Sequence, residues 1–246
     1  MNTSKPLINL SVVLPAYKEK GNLEILIPEI ETEFSDIPHE VIVVDDHSED
    51  GTREMIKGLQ TRYKNIVLIE RPGLLGIGSA LRDGYNMSKG TYILSSDADL
   101  SFTIESMREL YGKITENATP LYDVVLGYKV PKPDPSRETK IITQHMKLPI
   151  GTLCNIIVRM MSGIKGVKEY NTNFRIMRRS LWQKLHTKEN RNFFLFETIL
   201  QASKEGAVIT GIPVTFLPRK YGFSKLNFIS QAPGYFLTLL RVVWFG

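Results

Sequence analysis

The stretch from Thr91 to Ser101, with the sequence TYILSSDADLS, decides the fold that we predict for this chain. Residues Thr91 to Leu94 have the β propensity of a buried core strand, and the apolar run stops at two carboxylates, Asp97 and Asp99. These lie just beyond the carboxyl end of the strand, where open α/β sheets place their ligands. Residues two apart in an extended chain point to the same side, so both carboxylates can face one hard cation or one polar substrate. A structural role is the alternative, because turns use Asp freely and Asp99 can cap the helix predicted over Thr103 to Lys113.

The chain before this stretch repeats the same arrangement three times. Short β-branched runs alternate with helical patterns, and each run is followed by a polar loop. The predicted strands are Leu10 to Pro15, Val41 to Val44 and Ile66 to Glu70, and the predicted helices are 22–34, 53–63 and 79–87. This alternation predicts an α/β protein with a mainly parallel, doubly wound sheet. Because the first four strands all end in polar clusters, we expect these clusters to form one site at one edge of the sheet.

The second half of the chain is less regular. We predict a core strand at Asp123 to Gly127 and then a long exposed loop from Tyr128 to Lys147, which carries five basic residues and three prolines. A loop of that length in a compact domain is usually functional or mobile. The remaining predicted elements are a helix at 148–162, a strand at 173–179, a helix at 193–203 that carries Glu197, and a strand at 207–217.

Composition excludes several classes of protein. A chain of 246 residues can bury a sizeable core in one α/β domain. Its net charge of +5 suggests affinity for phosphates or an anionic membrane surface, but it falls short of a nucleic-acid-binding profile. Cys154 is the only cysteine, so an internal disulfide and a cysteine-cluster metal site are excluded, and a reducing compartment is expected. Residues Met1 to Asn9 lack the apolar core of a signal peptide, and no apolar run reaches the length of a membrane span.

The glycine-rich loop around Gly76 and Gly78 invites a dinucleotide-binding interpretation. We disfavour that interpretation because the loop follows the third strand rather than the first and lacks the third glycine at the required spacing. Arg82 and Asp83, in the helix that follows, either lie near a phosphate or are solvated surface charges.

Five motifs, taken together and in order, carry a resemblance to a known family. They are VVLPAYKE at 12–19, VVDDHSEDGT at 43–52, GIGSALRDG at 76–84, DADLS at 97–101 and RKYGFSKL at 219–226. The chain resembles the family-2 glycosyltransferases of GT-A fold, and within them the polyprenyl-phosphate (dolichyl-phosphate) mannose or glucose synthases. The resemblance covers nearly the whole chain and implies a GT-A fold, in which a Rossmann-like, mostly parallel sheet is flanked by helices.

The resemblance also implies roles for individual residues. Nucleoside and diphosphate of a nucleotide-sugar donor would lie at Pro15, Tyr17, Glu19, Val44 and Asp46. The donor diphosphate and its divalent metal would lie at Asp97, Ala98 and Asp99, with Ser101 beside the metal. Arg219 and Lys225 would face the phosphates of donor and acceptor, and Lys129 would contribute a further positive charge.

Three departures from the family pattern stand out. The family commonly has Arg after the strand that ends at Gly127, where this chain has Tyr128 and Lys129, so a bidentate phosphate clamp becomes a point charge. Within the segment EYNTNFR at 169–175, Glu169 replaces Asp and Asn173 replaces Gly. Ser101 stands where some of the synthases have a metal-binding Gln. These departures leave the enzyme class standing and weaken any assignment of the sugar.

The residue chemistry agrees with the resemblance. Oxygen ligands without His or Cys favour Mg²⁺ or Mn²⁺, and such a cation would act as a Lewis acid on the departing diphosphate. A lipid monophosphate acceptor is already anionic at neutral pH, so it needs no general base. This agrees with the scattered positions of the four histidines, His39, His47, His145 and His186. The acceptor does need cations, for which the candidates are Lys129, Arg137, Arg175, Arg219 and Lys225.

The favoured hypothesis is therefore inverting transfer of a hexose, with mannose from GDP-mannose as the first choice, to a polyprenyl or dolichyl monophosphate. Transfer from UDP-glucose or UDP-GlcNAc is the closest alternative. A family-2 transferase acting on a polysaccharide or protein hydroxyl would instead need a carboxylate base, and Glu169 or Glu197 would serve. A nucleotide-binding protein without catalysis would keep the Asp46 site and lose the metal pair.

The C-terminal stretch is almost wholly apolar around Arg241. We predict a catalytic domain at 1–231 and an apolar membrane-proximal segment at 232–246, too short to span a bilayer and suited to an interfacial helix. A core helix is the alternative. The expected location is peripheral, on the cytoplasmic face of a membrane: the endoplasmic reticulum in a eukaryote, the plasma membrane in a prokaryote. A membrane-anchoring subunit would be a further partner.

Overall fold

The computed structural model describes residues 7–117, 121–131, 155, 159–160, 163–164 and 167–217. Their centre is a seven-stranded sheet with the order β3-β2-β1-β4-β6-β5-β7. The strands are β1 Leu10–Ala16, β2 His39–Asp45, β3 Ile66–Glu70, β4 Tyr92–Ser95, β5 Val124–Pro131, β6 Arg175–Arg178 and β7 Ile209–Phe216. Strand β6 is antiparallel to both of its neighbours, and every other pair is parallel. The prediction of a mainly parallel α/β sheet is confirmed.

Six helices accompany the strands in the described ranges. They are α1 Lys20–Glu33, α2 Thr52–Arg62, α3 Ile77–Met87, α4 Ile104–Thr115, α5 Arg179–Trp182 and α6 Phe193–Lys204. Within those ranges, no helix is long and apolar enough to cross a membrane.

The strand pattern explains why helices cover both faces of the sheet. Side chains alternate between the two faces of a strand, and β1 and β2 are apolar on both. Val13 and Ile42 pack with α3, α5 and α6 on one face, whereas Val12 and Val43 pack with α1, α2 and α4 on the other. The result is a three-layer sandwich with the sheet between two layers of helices.

Most element boundaries differ from the sequence prediction by one or two residues, and three of the differences bear on the site. Residues 128–131 continue β5 instead of opening a loop, because they pair with Pro213 to Phe216 of β7. The strand predicted at 173–179 is shorter, and Arg179 begins α5. The glycine loop is also shorter, since α3 begins at Ile77. The rest of the predicted loop at 132–147, most of the helix at 148–162 and the C-terminal segment at 232–246 lie outside the described residues.

Candidate active site

Backbone hydrogen bonds hold the carboxyl ends of four parallel strands side by side. The amide of Asp46 donates to Ala16 O (2.9 Å), that of Arg71 to Asp45 O (3.0 Å) and that of Ser96 to Val13 O (3.3 Å). The loops after β1, β2, β3 and β4 therefore leave the sheet at one edge. The expectation that the polar clusters share an edge is confirmed.

Strained backbone is concentrated at this edge. Lys18, His47 and Leu100 have positive φ angles of 57°, 62° and 59°. They are the non-glycine residues of the described ranges with this conformation, and each lies in a loop after β1, β2 or β4. Such conformations are unfavourable for residues with a Cβ and tend to occur where a loop serves a ligand.

The segment after β4 holds its two carboxylates in different surroundings. Asp99 is buried, and its Oδ1 accepts the backbone amide of Ser101 (3.0 Å). Asp97 is half-buried, and its Oδ1 accepts the side-chain amide of Asn173 (3.1 Å). Asp99 does not cap the following helix, because the cap of α4 is Thr103, whose side chain accepts the amide of Ser106. The helix-capping alternative for Asp99 is therefore wrong, whereas its bond to the Ser101 amide is a role in the turn.

Two buried oxygens beside these carboxylates have no hydrogen-bond partner within the described part of the chain. They are Ser101 Oγ and Asn173 Oδ1. An unsatisfied buried oxygen is costly, so its presence points to a ligand or an ion that completes it.

The donor set at this segment fits a hard divalent cation. Within the described ranges, no three His, Cys, Asp or Glu residues form a metal cluster of their own. Mg²⁺ is commonly held by only one or two carboxylates together with substrate phosphates. Asp97, Asp99 and the unpartnered Ser101 hydroxyl provide oxygen ligands of that kind.

Asp46, at the end of β2, is paired with an arginine that the sequence analysis missed. Arg71 follows β3, is buried, and forms an ion pair with Asp46 Oδ1. Its Nη2 donates to Ser79 Oγ (2.5 Å), and its Nε lies 3.2 Å from Asp83 Oδ2. Burial raises the pKa of the Asp46 carboxyl above its ordinary value, although Arg71 opposes this effect. Apart from its place in the third strand-end loop, Arg71 has no local sequence signal.

The carboxylates around Asp46 shape the loop itself. Asp45 Oδ2 accepts the amide of Ser48 (2.9 Å) and Nε of Arg53 (2.6 Å). Asp50 likewise accepts the amide of Thr52 (3.1 Å). The oxygen-rich turn of the sequence is thus largely engaged in its own architecture.

The other residues that we predict to contact the donor lie in or just after β1, β2 and β4. Pro15 in β1 is in register with Val44 in β2. Tyr17 is half-buried directly after β1, and Ala98 is buried between Asp97 and Asp99. Glu19 accepts the side-chain amide of Asn22 (2.6 Å) at the start of α1.

Lys129 lies over two aromatic rings next to the segment from Asp97 to Ser101. Its ammonium is 4.5 Å from the centre of the Phe216 ring and 5.8 Å from that of Phe102. Phe102 follows Ser101, and the carbonyl of Ser101 accepts the amide of Leu217 (2.8 Å). The ends of β5 and β7 therefore meet the segment after β4. Arg137, Arg219 and Lys225 lie outside the described residues.

Arg175 is a structural residue, which corrects its prediction as an acceptor-binding cation. It is 1% exposed and donates to the backbone carbonyls of Thr172, Leu195 and Tyr170. Burial lowers its pKa to about 10. A guanidinium engaged with three carbonyls inside the core is not available to a lipid phosphate.

The two carboxylates considered as general bases both accept backbone amides. Glu197 is buried in α6 and accepts the backbone amides of Lys188 and Glu189 at 2.9–3.0 Å. Glu169 accepts the backbone amide of Lys129 (3.3 Å). Glu197 thus ties a loop to the core, which weakens its candidacy as a base. Glu169 lies next to Lys129 and stays the candidate base of the hydroxyl-acceptor alternative.

The glycine loop packs closely against the loop that contains Asn190 and Arg191. A Cβ on Gly76 would lie 2.5 Å from Asn190 O, and one on Gly78 would lie 2.5 Å from Arg191 O. Arg82 fixes the facing loop by donating to Thr187 Oγ1 (3.2 Å) and Asn190 Oδ1 (2.9 Å). The missing Cβ atoms thus leave room for the backbone of another loop. This agrees with our view that the glycines do not form a dinucleotide-binding loop.

A mostly parallel sheet with oxygen-bearing loops at one edge defines an α/β protein of the GT-A type. The chain belongs to glycosyl transferase family 2, whose profile matches residues 11–203.

Curated relatives agree with this family. The chain is 25% identical over 201 residues to a dolichyl-phosphate β-glucosyltransferase of Trichomonas vaginalis, covering 78% of this chain and 60% of the relative. It is 26% identical over 224 residues to a dolichol-phosphate mannosyltransferase of Pyrococcus furiosus, covering 89% and 60%. To a dolichol-phosphate mannosyltransferase of Saccharomyces cerevisiae it is 34% identical over 119 residues, covering 46% and 44%. The matches span at most 60% of these relatives.

Solved structures share the fold. A glucosyl-3-phosphoglycerate synthase from Mycobacterium tuberculosis, crystallised with Mn²⁺, UDP and phosphoglyceric acid, superposes with a TM-score of 0.69 at 17% identity. The match covers 97% of this chain and 80% of the synthase. The same synthase has been crystallised with Mn²⁺ and UDP-glucose, with a TM-score of 0.68 to this chain. At these identities the likeness establishes the fold alone.

Proposed function

We propose that this chain catalyses the metal-assisted, inverting transfer of a hexose from a nucleotide-diphosphate sugar to a polyprenyl or dolichyl monophosphate at a membrane surface. Mannose from GDP-mannose is the favoured donor. The observation that carries the proposal is the segment from Asp97 to Ser101 at the end of β4. It holds two carboxylates and a buried hydroxyl that has no partner among the described residues. The names of the curated relatives support the lipid-phosphate acceptor.

The donor would bind along the loops after β1, β2 and β4. Pro15, Tyr17, Glu19, Val44 and Asp46 would hold the nucleoside, and Arg71 would keep Asp46 in place through their buried ion pair. Asp97, Asp99 and Ser101 would hold Mg²⁺ or Mn²⁺, with Ala98 lining the diphosphate. When bound, the cation would neutralise the charge that develops on the departing diphosphate. The Mn²⁺ complexes of the structural neighbours support a divalent cofactor.

The acceptor would bind on the other side of the metal segment. Lys129 has no ion pair in the described part of the chain, and its ammonium lies over Phe102 and Phe216 close to Ser101. Such an exposed cation can attract a lipid phosphate. The phosphate roles of Arg219 and Lys225 are proposed from the motif RKYGFSKL at 219–226.

The proposed organisation is a catalytic domain at 1–231 and an apolar membrane-proximal segment at 232–246. This segment would place the domain peripherally on the cytoplasmic face of a membrane, with or without an anchoring subunit. We propose no nucleic-acid partner.

A transfer assay tests the proposal. GDP-mannose, UDP-glucose and UDP-GlcNAc are each incubated with polyprenyl phosphate or with a soluble oligosaccharide, in Mg²⁺, Mn²⁺ or EDTA. We expect the most lipid-linked product from GDP-mannose and no product in EDTA. Transfer only to the soluble acceptor would support the hydroxyl-acceptor alternative. Nucleotide binding without transfer to either acceptor would indicate a binding protein.

The same assay tests the acceptor role of Lys225. Lys225→Ala should impair the use of lipid phosphate more than it weakens nucleotide binding, measured by donor titration. The matched control is Lys64→Ala, which removes an exposed lysine just before the amino end of β3. Equal losses of lipid-phosphate use and nucleotide binding would contradict the assignment.

A further inference from the structure

Two adjacent leucines are exposed at the edge of the sheet that carries the candidate site. Leu74 and Leu75, in the loop between β3 and α3, are 63% and 50% exposed. Among the large hydrophobic residues exposed in the described ranges, they form the only pair adjacent in sequence. Leaving neighbouring leucines in water is unfavourable, and exposed apolar groups at a functional edge often mark a contact surface.

The loop backbone is fastened, so the leucines are held in this exposed position. Arg71 binds Asp46 and Ser79 on one side of the loop. Ser79 Oγ donates to Leu75 O (3.0 Å), and the amide of Gly76 donates to Asp46 Oδ2 (3.3 Å). The tip therefore rests directly on residues of the proposed donor site.

Positive charge lies next to the leucines. A Cβ placed on Gly76 would be 3.5 Å from Cγ of Arg191, so the stem of Arg191 passes beside the tip. Arg191 is exposed and has no ion pair in the described part of the chain, whereas the acidic neighbour Asp83 is paired with Arg71. Leucines flanked by an exposed arginine suit an anionic lipid surface, where arginine can keep its charge at the headgroups.

We infer that the tip of Leu74 and Leu75, flanked by Arg191, enters the interface of an anionic bilayer and turns the site edge toward the membrane. The inference rests on the proposed function in that it names the surface through which a lipid acceptor is reached. A protein partner fits less well, because a stable protein interface buries about 800 Å² on each side and two side chains provide only a fraction of that.

Position-specific fluorescence quenching tests which edge touches the lipid. Leu75→Trp is compared with Leu121→Trp in the full chain, on vesicles of phosphatidylcholine and phosphatidylglycerol with brominated acyl chains. Leu121 is a matched control, since it is 55% exposed and precedes β5 at the opposite edge of the sheet. The parent chain supplies the signal of the native tryptophans. We expect at least about twofold more quenching of the Leu75→Trp signal, because side chains of interfacial segments reach the acyl boundary.

Quenching reports position even when another part of the chain also binds the vesicle. The quenching measurement needs neither a sugar donor nor a lipid acceptor, so an inactive protein would still show the difference between the two positions. A failure of the proposed function would appear only in the transfer assay. Equal quenching at the two positions would overturn the inference.

Vesicle flotation tests the contribution of each group. Leu74→Ser with Leu75→Ser should weaken partitioning to anionic vesicles by about tenfold, in keeping with the loss of buried apolar area. Leu121→Ser with Val208→Ser removes similarly exposed residues from the opposite edge and should have no effect. Arg191→Gln should reduce only the preference for anionic over neutral vesicles. Unchanged flotation of the leucine variant would contradict the inference.

Discussion

Asp99 allows its architectural and chemical roles to be separated. Its carboxylate accepts the Ser101 amide, and an asparagine oxygen can accept the same bond. Asp99→Asn should therefore keep the fold but lose the charge that holds the cation, and we expect transfer to fall by about 100-fold or more. The measurements are transfer rate and thermal unfolding. Asp36→Asn, which alters an exposed carboxylate paired with Arg108, is the control. Unchanged activity of Asp99→Asn would remove the metal assignment.

Asn173 is a departure from the family pattern that the structure connects to the site. Its side-chain amide donates to Asp97, while its own oxygen has no partner among the described residues. Removing such a supporting hydrogen bond commonly costs 10-fold to 100-fold in metal affinity, by the order-of-magnitude range for groups that orient ligands. Asn173→Ala should accordingly need about 10-fold more Mn²⁺ for half-maximal activity, measured by metal titration. Asn173→Asp puts a carboxylate beside Asp97 and cannot donate the lost hydrogen bond. It should therefore not have the Mn²⁺ requirement of the wild type. A wild-type Mn²⁺ requirement in Asn173→Ala would contradict a supporting role.

His39, at the opposite edge of the sheet, makes folding depend on pH. Burial alone would lower the pKa of its imidazole, but Glu31 and the Ile37 carbonyl outweigh burial and raise that pKa above 6.5. The protonated form is thus favoured by folding. Its stabilisation is complete below pH 6.5 and is lost as the pH rises through the higher pKa of the folded state.

We expect wild type to exceed His39→Gln in free energy of unfolding by the largest margin at about pH 5.5, and by less toward about pH 8.5. Urea unfolding across this range measures the margin. The NMR titration signal missing from the variant identifies His39. A midpoint below 6.5, or a margin that grows with pH, would show that the sign is wrong.

The contact between the glycine loop and the loop before α6 can be tested through Gly78. An added Cβ would meet backbone atoms of Arg191 and Asn190, together with Phe194 Cβ at 2.6 Å. Gly78→Ala should therefore destabilise the protein by about 1–3 kcal/mol, as overpacking does, and weaken donor binding because Gly76 contacts Asp46. Gly58→Ala is the matched control: it lies in α2 with nothing within 4 Å and should stabilise by about 0.5–1 kcal/mol. Equal effects of the two substitutions on denaturant midpoints would contradict the packing role.

The sequence predicted helices and strands well where a short stretch of residues carried the apolar pattern. Apolar runs ending at Asp46 and Asp97 indicated both the parallel strands and the edge at which they end. It failed for Arg71 and Arg175, because an arginine looks the same in sequence whether it pairs with a carboxylate, caps carbonyls or faces solvent. Only the tertiary arrangement separates these cases: the antiparallel insertion of β6 places Arg175 inside the core, and the short β3 delivers Arg71 to Asp46.

The stereochemistry of transfer depends on whether the loops around the site provide a nucleophile. Retention through two steps would need a nucleophile beside the sugar. In the described ranges, the carboxylates near the site already have other tasks: Asp97 and Asp99 lie at the proposed metal site, and Glu169 and Glu197 accept backbone amides. An acceptor phosphate is anionic at neutral pH and can attack the anomeric carbon directly as the nucleotide diphosphate leaves. A single displacement of this kind inverts the anomeric centre.

We therefore expect an α-linked donor to give a β-linked lipid phosphosugar. The one-bond carbon–hydrogen coupling at the anomeric position, read by NMR against synthetic α and β standards, decides between the two outcomes. The reaction should be stopped early and repeated with Asp99→Asn, so that any product that does not depend on Asp99 is subtracted. An α-linked product would require a nucleophile that the described residues do not provide, and the direct mechanism would have to be abandoned even if the donor, the metal and the acceptor were all as proposed.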